Sequence, residues 1–342
     1  ISNGPYADAL RAHVEALDHH PDWIGGNIRV DFINAELERL AEMGLESELN
    51  PIEPDESMKR GLAFSDLGKI ASFSDLGALN LAIKDGFSLY AAKRFADSNG
   101  ESEAGMGKEQ EEWFLNTMKN SDRRWKVWGN EYCLIPLYVD MTIAGQLPEN
   151  FQHIFTLLTE DWNGQPNRRS KLINELADLE NVVAITGDVH AFFAGTPFAD
   201  EEKRDKKIVE FVSGSISSST LQDELVRTAK SDPILEEAGA VQLAYVAENF
   251  LLDTYTKPNP HLAHADLKHN GFSLVEINES TLEVRFLSIE EKYVTERVDD
   301  SELTDRFKST RFKVEAGSPE IYKEEDGAWL QWDPETFEWI QA

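Results

Sequence analysis

Apolar residues along this chain switch between helical and strand spacing, and the switches divide it into alternating elements. Ala7 to Leu17 reads as a helix, and Phe32 to Leu45 as a second with Ile33, Leu37, Leu40 and Leu45 on one face. Pro51, Pro54 and several acids make residues 46–60 a loop, after which Leu62 to Phe64 and Ile70 to Phe73 read as short strands punctuated by Gly61 and Gly68. Between Asp97 and Gly107 the composition turns to Ser, Gly, Asn and Glu, which marks a solvated loop and the best place for a flexible insertion. Lys108 to Lys119 is amphipathic, with Trp113, Phe114 and Met118 placed to face inward, and Arg124 to Trp128 alternates as a strand. Pro166 to Leu179 is a helix with Pro at its first position. The unbroken run Val182, Val183, Ala184, Ile185, mostly β-branched, predicts a strand covered on both faces, with Gly187 letting the chain turn at its carboxyl end. Gly271 to Ile277 and Leu282 to Leu287 alternate around Asn278 to Thr281, a β-hairpin. Helices alternating with short strands, followed by a strand-rich tail, make this an α/β protein.

Charge narrows the partners. With 63 acidic and 33 basic residues among 342, the net charge is −30. Such a surface repels nucleic-acid backbones and anionic lipid headgroups. Because the acids are spread along the chain, a strongly hydrated surface suited to high salt explains them better than an acidic binding tail. The length and 41% hydrophobic content are enough to bury a sizeable core in one large or two ordinary domains. A lone cysteine, Cys133, excludes an internal disulfide, and its apolar setting before Leu134 and Ile135 reads as a core thiol. No run of eighteen apolar residues is present to make a spanning helix.

Chemistry collects at strand ends. After the buried run come Thr186, Gly187, Asp188, Val189 and His190. In an extended segment residues i and i+2 point the same way, so Asp188 oxygens and a His190 ring nitrogen can converge on one cation; the alternative is a capping Asp and a surface His. Asn130 ends its strand either facing the site or as a turn residue after Gly129. Asp161 to Arg169 precedes a helix whose free amides can hold an anion, with Arg168 or Arg169 as a forked donor; the alternative is a helix cap with Trp162 in the core. The run Ser213 to Thr220 has no His or Asp arranged for a nucleophilic serine, so its small residues read as letting backbone pass closely. His19 and His20 belong to a turn beside Pro21. His261, His264 and His269 cluster after Pro258, Asn259 and Pro260, with surface or ligand-supporting roles ahead of ligation.

In order, Gly107 to Phe114, Trp125 to Asn130, Asp161 to Pro166 with Arg168 or Arg169, Thr186 to His190, Glu210 to Ser218, and Asn259 to His261 followed by Gly271 and Phe272 resemble the PhoD-like alkaline phosphatases, members of the calcineurin-like metallophosphoesterase superfamily. The resemblance implies an α/β/β/α sandwich of two mixed β-sheets flanked by helices, and metal-dependent hydrolysis of phosphate mono- or diesters by metal-activated water. It implies iron and calcium as cofactors, a small phosphate-ester substrate, and a periplasmic or secreted location. Asp188 and His190 are then the metal ligands, with Asp161, Trp162, Arg168, Asn130 and His261 binding substrate or supporting the site.

Departures from the family matter as well. Relatives read Trp-Asp-Gly-Tyr where this chain has Trp162, Asn163, Gly164 and Gln165, and Leu-Asp-Thr-Arg where it has Ser74 to Gly77. Upstream metal motifs of the Gly-Asp-x-x-Tyr and Asp-Asp-His-Glu type are absent from the sequence. The chain is therefore expected to be the C-terminal part of a longer protein and to supply only part of the sandwich, with a second polypeptide carrying the rest. Residues 1–300 would form that part of the domain. Residues 301–342 would be an acidic, aromatic extension that lids the pocket or packs on a sheet edge. Rival readings are a non-catalytic relative acting as an acidic binding protein, and a phospholipase-type phosphodiesterase.

Overall fold

The structure, a computed structural model, describes residues 81–143, 152–231, 239–295 and 303–341, with scattered positions before residue 81 and at 145, 236 and 237. The helix expected over Ala7 to Leu17, most of Phe32 to Leu45, the strand Ile70 to Phe73, the segment Ser74 to Gly77, and His19 and His20 lie outside the described residues.

Two short strands, β1 (Asn27–Ile28) and β2 (Leu62–Ala63), pair antiparallel. A three-stranded antiparallel sheet has β6 (Ile154–Leu157) between β3 (Leu81–Ile83) and β5 (Tyr138–Asp140). The centre is a mixed five-stranded sheet of β4 (Lys126–Asn130), β7 (Val182–Thr186), β8 (Phe192–Gly195), β9 (Val209–Val212) and β10 (Leu262–Asp266), in the order β10-β8-β9-β7-β4. Its strands β4, β7 and β9 run parallel, while β8 opposes both its neighbours. Against it packs an antiparallel six-stranded meander of β11 (His269–Ile277), β12 (Thr281–Glu290), β13 (Lys308–Glu315), β14 (Tyr322–Glu325), β15 (Ala328–Asp333) and β16 (Glu338–Gln341).

The strand period decides how the layers meet. Val183, Phe192, Ala194, Val209 and Phe211 face the second sheet and pack on its Leu282, Val284, Phe286, Phe312 and Val314. Their alternates Val182 and Ala184 face the other way, onto helices α2 (Lys108–Asn120) and α3 (Pro166–Leu176) through Phe114, Met118, Leu172, Ile173 and Leu176. Both faces of β7 are therefore dry, which accounts for its unbroken apolar run. The result is a mixed α/β sandwich, with layers in the order helix, sheet, sheet among the described residues. Among the described residues, the outer face of the six-stranded sheet carries charged side chains, with Arg311 bonded to Glu283 at 3.1 Å and also to Glu324, where helices were expected.

Two expectations change. The solvated loop at Asp97 to Gly107 follows α1 (Lys84–Asp97) with a 3-10 turn, Glu101–Glu103, whose Glu103 is buried and accepts the Arg168 backbone N–H and the Asn167 amide, both at 2.7 Å. Trp113 points to solvent, and its neighbours Phe114 and Met118 form the apolar face. Residues from 303 onward continue the six-stranded sheet: β13 pairs along its length with β12, and Trp332 and Phe337 pack on Ala263 of β10.

Phe286 sits between the sheets, 5.1 Å from the Phe192 ring and 5.2 Å from Phe312. Phe286→Ala is expected to lower unfolding free energy by about 3–5 kcal/mol, whereas Leu274→Ala, on an exposed position, should change it by about 0.5 kcal/mol or less. Urea unfolding of both variants checks the layer assignment, and equal effects would contradict it.

Candidate active site

Parallel strands β4, β7 and β9 end together, and the residues that follow them build the site. Glu210, in the middle of β9, is fully buried. Its carboxylate accepts the backbone N–H groups of Leu134 at 2.9 Å and Ile135 at 2.7 Å, and the Thr186 hydroxyl at 2.6 Å. Burial raises its pKa, against the pull of these donors. Thr186 also accepts the Asn130 amide at 3.3 Å, and Asn130 in turn accepts the Trp162 indole N–H at 3.5 Å. One chain of polar contacts thus joins the ends of β4, β7 and β9 to the turn before α3.

That turn is sterically fixed. A Cβ on Gly164 would lie 1.7 Å from the Thr159 carbonyl oxygen, so only glycine fits the 3-10 turn Trp162–Gly164. Trp162 packs edge-on against Trp128, with 6.2 Å between ring centres. Asp161, at the head of the turn, is 2% exposed, and its Oδ1 has no hydrogen-bond partner. Burial, then the charges of Asp188, Glu210 and Glu160, push its pKa up to about 8. Burial and Asp188 likewise raise Glu160. The Asp188 charge therefore acts on both Asp161 and Glu160 across the strand ends.

The geometry after β7 is not the extended one the sequence suggests. Asp188 and His190 both take left-handed backbone, with φ of 66° and 58°, and Val189 between them is buried. The alternation argument fails there, because it holds only along a strand. The two side chains have different electrostatic neighbours: Asp188 acts on Asp161 and Glu160, and His190 on Glu224 of helix α4 (Leu221–Ser231). Among the described residues, no three His, Cys, Asp or Glu side chains gather closely enough to hold a metal ion.

Arg168 and His261 stand apart from this cluster. The Arg168 guanidinium bonds Glu111 at 3.0 Å and the Gly100 carbonyl at 2.9 Å, and Glu103 already occupies the first amides of α3 that were expected to hold an anion. Arg169 is the inward one: buried, it donates to Asn163 at 2.7 Å. His261 lies at the far end of β8 from His190, since its neighbour Leu262 pairs with Gly195. Its Nε2 is 2.5 Å from the Pro136 carbonyl, and burial holds its pKa down to about 4. It borders a separate cavity of about 240 Å³, lined also by Lys84, Tyr138, Asp140 and Glu201. His264 lies between Phe286 and Phe312, and His269 bonds Asp266 at 2.8 Å, so the three histidines serve three different places.

Two other readings hold. Cys133 is buried beside Glu210, and burial raises its thiol pKa. The serine run passes close to the β7 loop, with Ser213 N–H donating to the Thr186 carbonyl and Leu221 N–H to that of His190. The sequence reading counted Glu210 among the family motifs but gave it no role of its own, although a lone acid inside the apolar stretch Ile208 to Val212 was a signal for one.

A family model described as PhoD-like phosphatase matches residues 57–286. Alkaline phosphatase D of Bacillus subtilis (strain 168) is 30% identical over 167 residues, which are 48% of this chain and 26% of that protein. The matched span is thus about a quarter of the relative's length. A solved structure titled "Structure of PhoD" aligns over 64% of this chain and 35% of its own, at 23% identity and a TM-score of 0.42.

The Asp161 shift sets a pH dependence. From its ordinary 3.8 to about 8, the folded chain holds a proton that the unfolded chain has released. This contribution is fully present below pH 3.8 and is lost as pH rises through about 8. Asp161→Asn should therefore raise the Tm of chelator-treated protein at pH 9 by about 2–4 °C or more, with a smaller gain at pH 5. A scan in which the variant is no more stable than the parent at either pH would contradict the assignment.

Proposed function

Because this chain belongs to the PhoD-like phosphatase family, we propose that it hydrolyses small phosphate mono- or diesters at the carboxyl ends of β4, β7 and β9. The observation that carries this reading is the buried Asp161 carboxylate with a free Oδ1, held among like charges where a cation would be stabilised. These residues fit part of a metal site. Asp161 and Asp188 offer hard oxygen donors, and His190 is the proposed imidazole donor. Iron with calcium is the proposed metal pair, and a periplasmic or secreted setting the proposed location. No described helix is long and apolar enough to cross a membrane.

A bound cation would supply charge neutralisation of the phosphate and an activated water. The chain's own residues do the rest. Asp161 and Asp188 would hold the cation, whose charge would relieve the repulsion between the two carboxylates. Glu210 fixes Thr186, and Thr186 with Asn130 fixes the start of the Asp188 loop. Asn130 and Trp162 border the space where an ester would lie. The net charge of −30 favours small esters over polyanions, which the surface repels.

Asp188→Asn is expected to lower turnover of a small aryl phosphate by about 100-fold or more, beyond the 10–100-fold typical of groups that only support a ligand, while the circular dichroism spectrum is unchanged. A variant that keeps the parental rate would end this assignment. Chelation should abolish activity reversibly, and duplex DNA at moderate salt should be cut more slowly than a small diester. Faster cleavage of DNA would overturn the substrate class.

A further inference from the structure

The cavity beside His261 holds charge that the site at the other end of β8 does not use. Its volume of about 240 Å³ is the liquid volume of about eight water molecules, less than a drug-sized ligand fills. Its walls are fixed: Asn259 bonds the Tyr138 backbone twice, at 2.8 and 2.7 Å, and His261 Nε2 is held at the Pro136 carbonyl. Glu201 is satisfied within the chain. Burial would raise its pKa, but Lys84, the Tyr138 hydroxyl and Arg169 hold it below the ordinary range. Three other charged groups lining the cavity keep capacity to spare. Lys257 has left-handed backbone, with φ of 50°, which residues other than glycine seldom adopt. Its ammonium donates to the Glu335 and Thr336 carbonyls, at 2.8 and 3.2 Å, so two of three N–H groups meet neutral oxygens and one is left. Arg204 donates through Nε to the Glu201 carbonyl at 3.0 Å and through Nη1 to Glu335 at 2.9 Å, and its Nη2 has no partner among the described residues. Asp140, buried on β5, accepts the Thr142 backbone N–H at 2.9 Å and the hydroxyl of the same residue, both on Oδ1. It makes no ion pair among the described residues.

We propose that this cavity binds a small aliphatic amino acid, with its carboxylate on Lys257 and Arg204, its ammonium on Asp140, and its side chain against Ile154 and Pro258. The lining selects for both charges at once. A simple anion would leave the buried Asp140 carboxylate unpaired, and a simple amine would leave the spare N–H groups of Lys257 and Arg204 unpaired. A zwitterion avoids both costs. His261 adds an acceptor and no charge, because burial holds its pKa down to about 4 and Nε2 is already spent on Pro136. Ile154 and Pro258 supply the apolar wall that accompanies a few placed polar groups in small-molecule sites. None of these residues belongs to the Asp161 and Asp188 cluster, so binding here is independent of the proposed hydrolysis.

Isothermal titration calorimetry of the purified protein tests this with four probes: L-valine, isovalerate, which lacks the amine, isobutylamine, which lacks the carboxylate, and inorganic phosphate. Valine is expected to bind one to one with a Kd below about 1 mM. Isovalerate and isobutylamine should each bind at least about tenfold more weakly, the loss of one charge-assisted hydrogen bond. Lys257→Gln and Asp140→Asn should each weaken valine binding by a similar factor with the circular dichroism spectrum unchanged, whereas Asp188→Asn should bind valine like the parent. If Asp140→Asn does not fold, Lys257→Gln and the isobutylamine titration still decide. Valine that does not bind, an analogue that binds as tightly as valine, phosphate bound in preference, or binding indifferent to Lys257→Gln would each overturn the proposal. Loss of valine binding in Asp188→Asn would move the ligand to the acidic cluster and overturn it as well.

Discussion

Glu210 is taken wholly out of water in the middle of β9, and a carboxylate there must find donors or lose several kcal/mol. Its donors come from two other places in the chain, the backbone of Leu134 and Ile135 after β4 and the hydroxyl of Thr186 at the end of β7. Satisfying one buried acid therefore fixes the exits of three neighbouring strands. Everything at the site follows from this: Asn130 is set by Thr186, Trp162 by Asn130, and Asp161 by the turn that Trp162 anchors.

Around this fixed frame the charges conflict. Burial raises Asp161 and Glu160, and the Asp188 charge adds to the rise at both. Arg168, the nearest cation in sequence, is spent on Glu111 and the Gly100 carbonyl, so it does not relieve them. The buried Arg169 donates instead to Asn163 in the same turn and leaves the Asp161 Oδ1 without a partner. The opposite end of the sheet shows the contrast. There Lys84 pairs with Glu201 at 3.1 Å, and the Tyr138 hydroxyl bonds the same carboxylate, so the charges are matched within the chain.

The sequence by itself determined the elements whose signal is local. The helix at Pro166, the buried run before Gly187 and the hairpin at Asn278 to Thr281 all stand where periodicity and turn chemistry put them, because each depends on residues a few positions apart. It also marked Asp188, Asp161, Trp162 and Asn130, polar or aromatic residues at strand and helix ends, which the structure gathers at the ends of β4 and β7. Only the tertiary structure decided the rest. Whether Asp188 and His190 share a direction depended on a left-handed turn around the buried Val189. Whether Arg168 or Arg169 faces inward depended on Glu111 and Glu103, more than fifty residues upstream. His261 was carried to the far end of β8 by the register of β10, and Glu210 acquired its role from donors about 24 and 75 residues away. Such choices are made by which strands become neighbours, and strand pairing depends on contacts distant in sequence that no local pattern encodes.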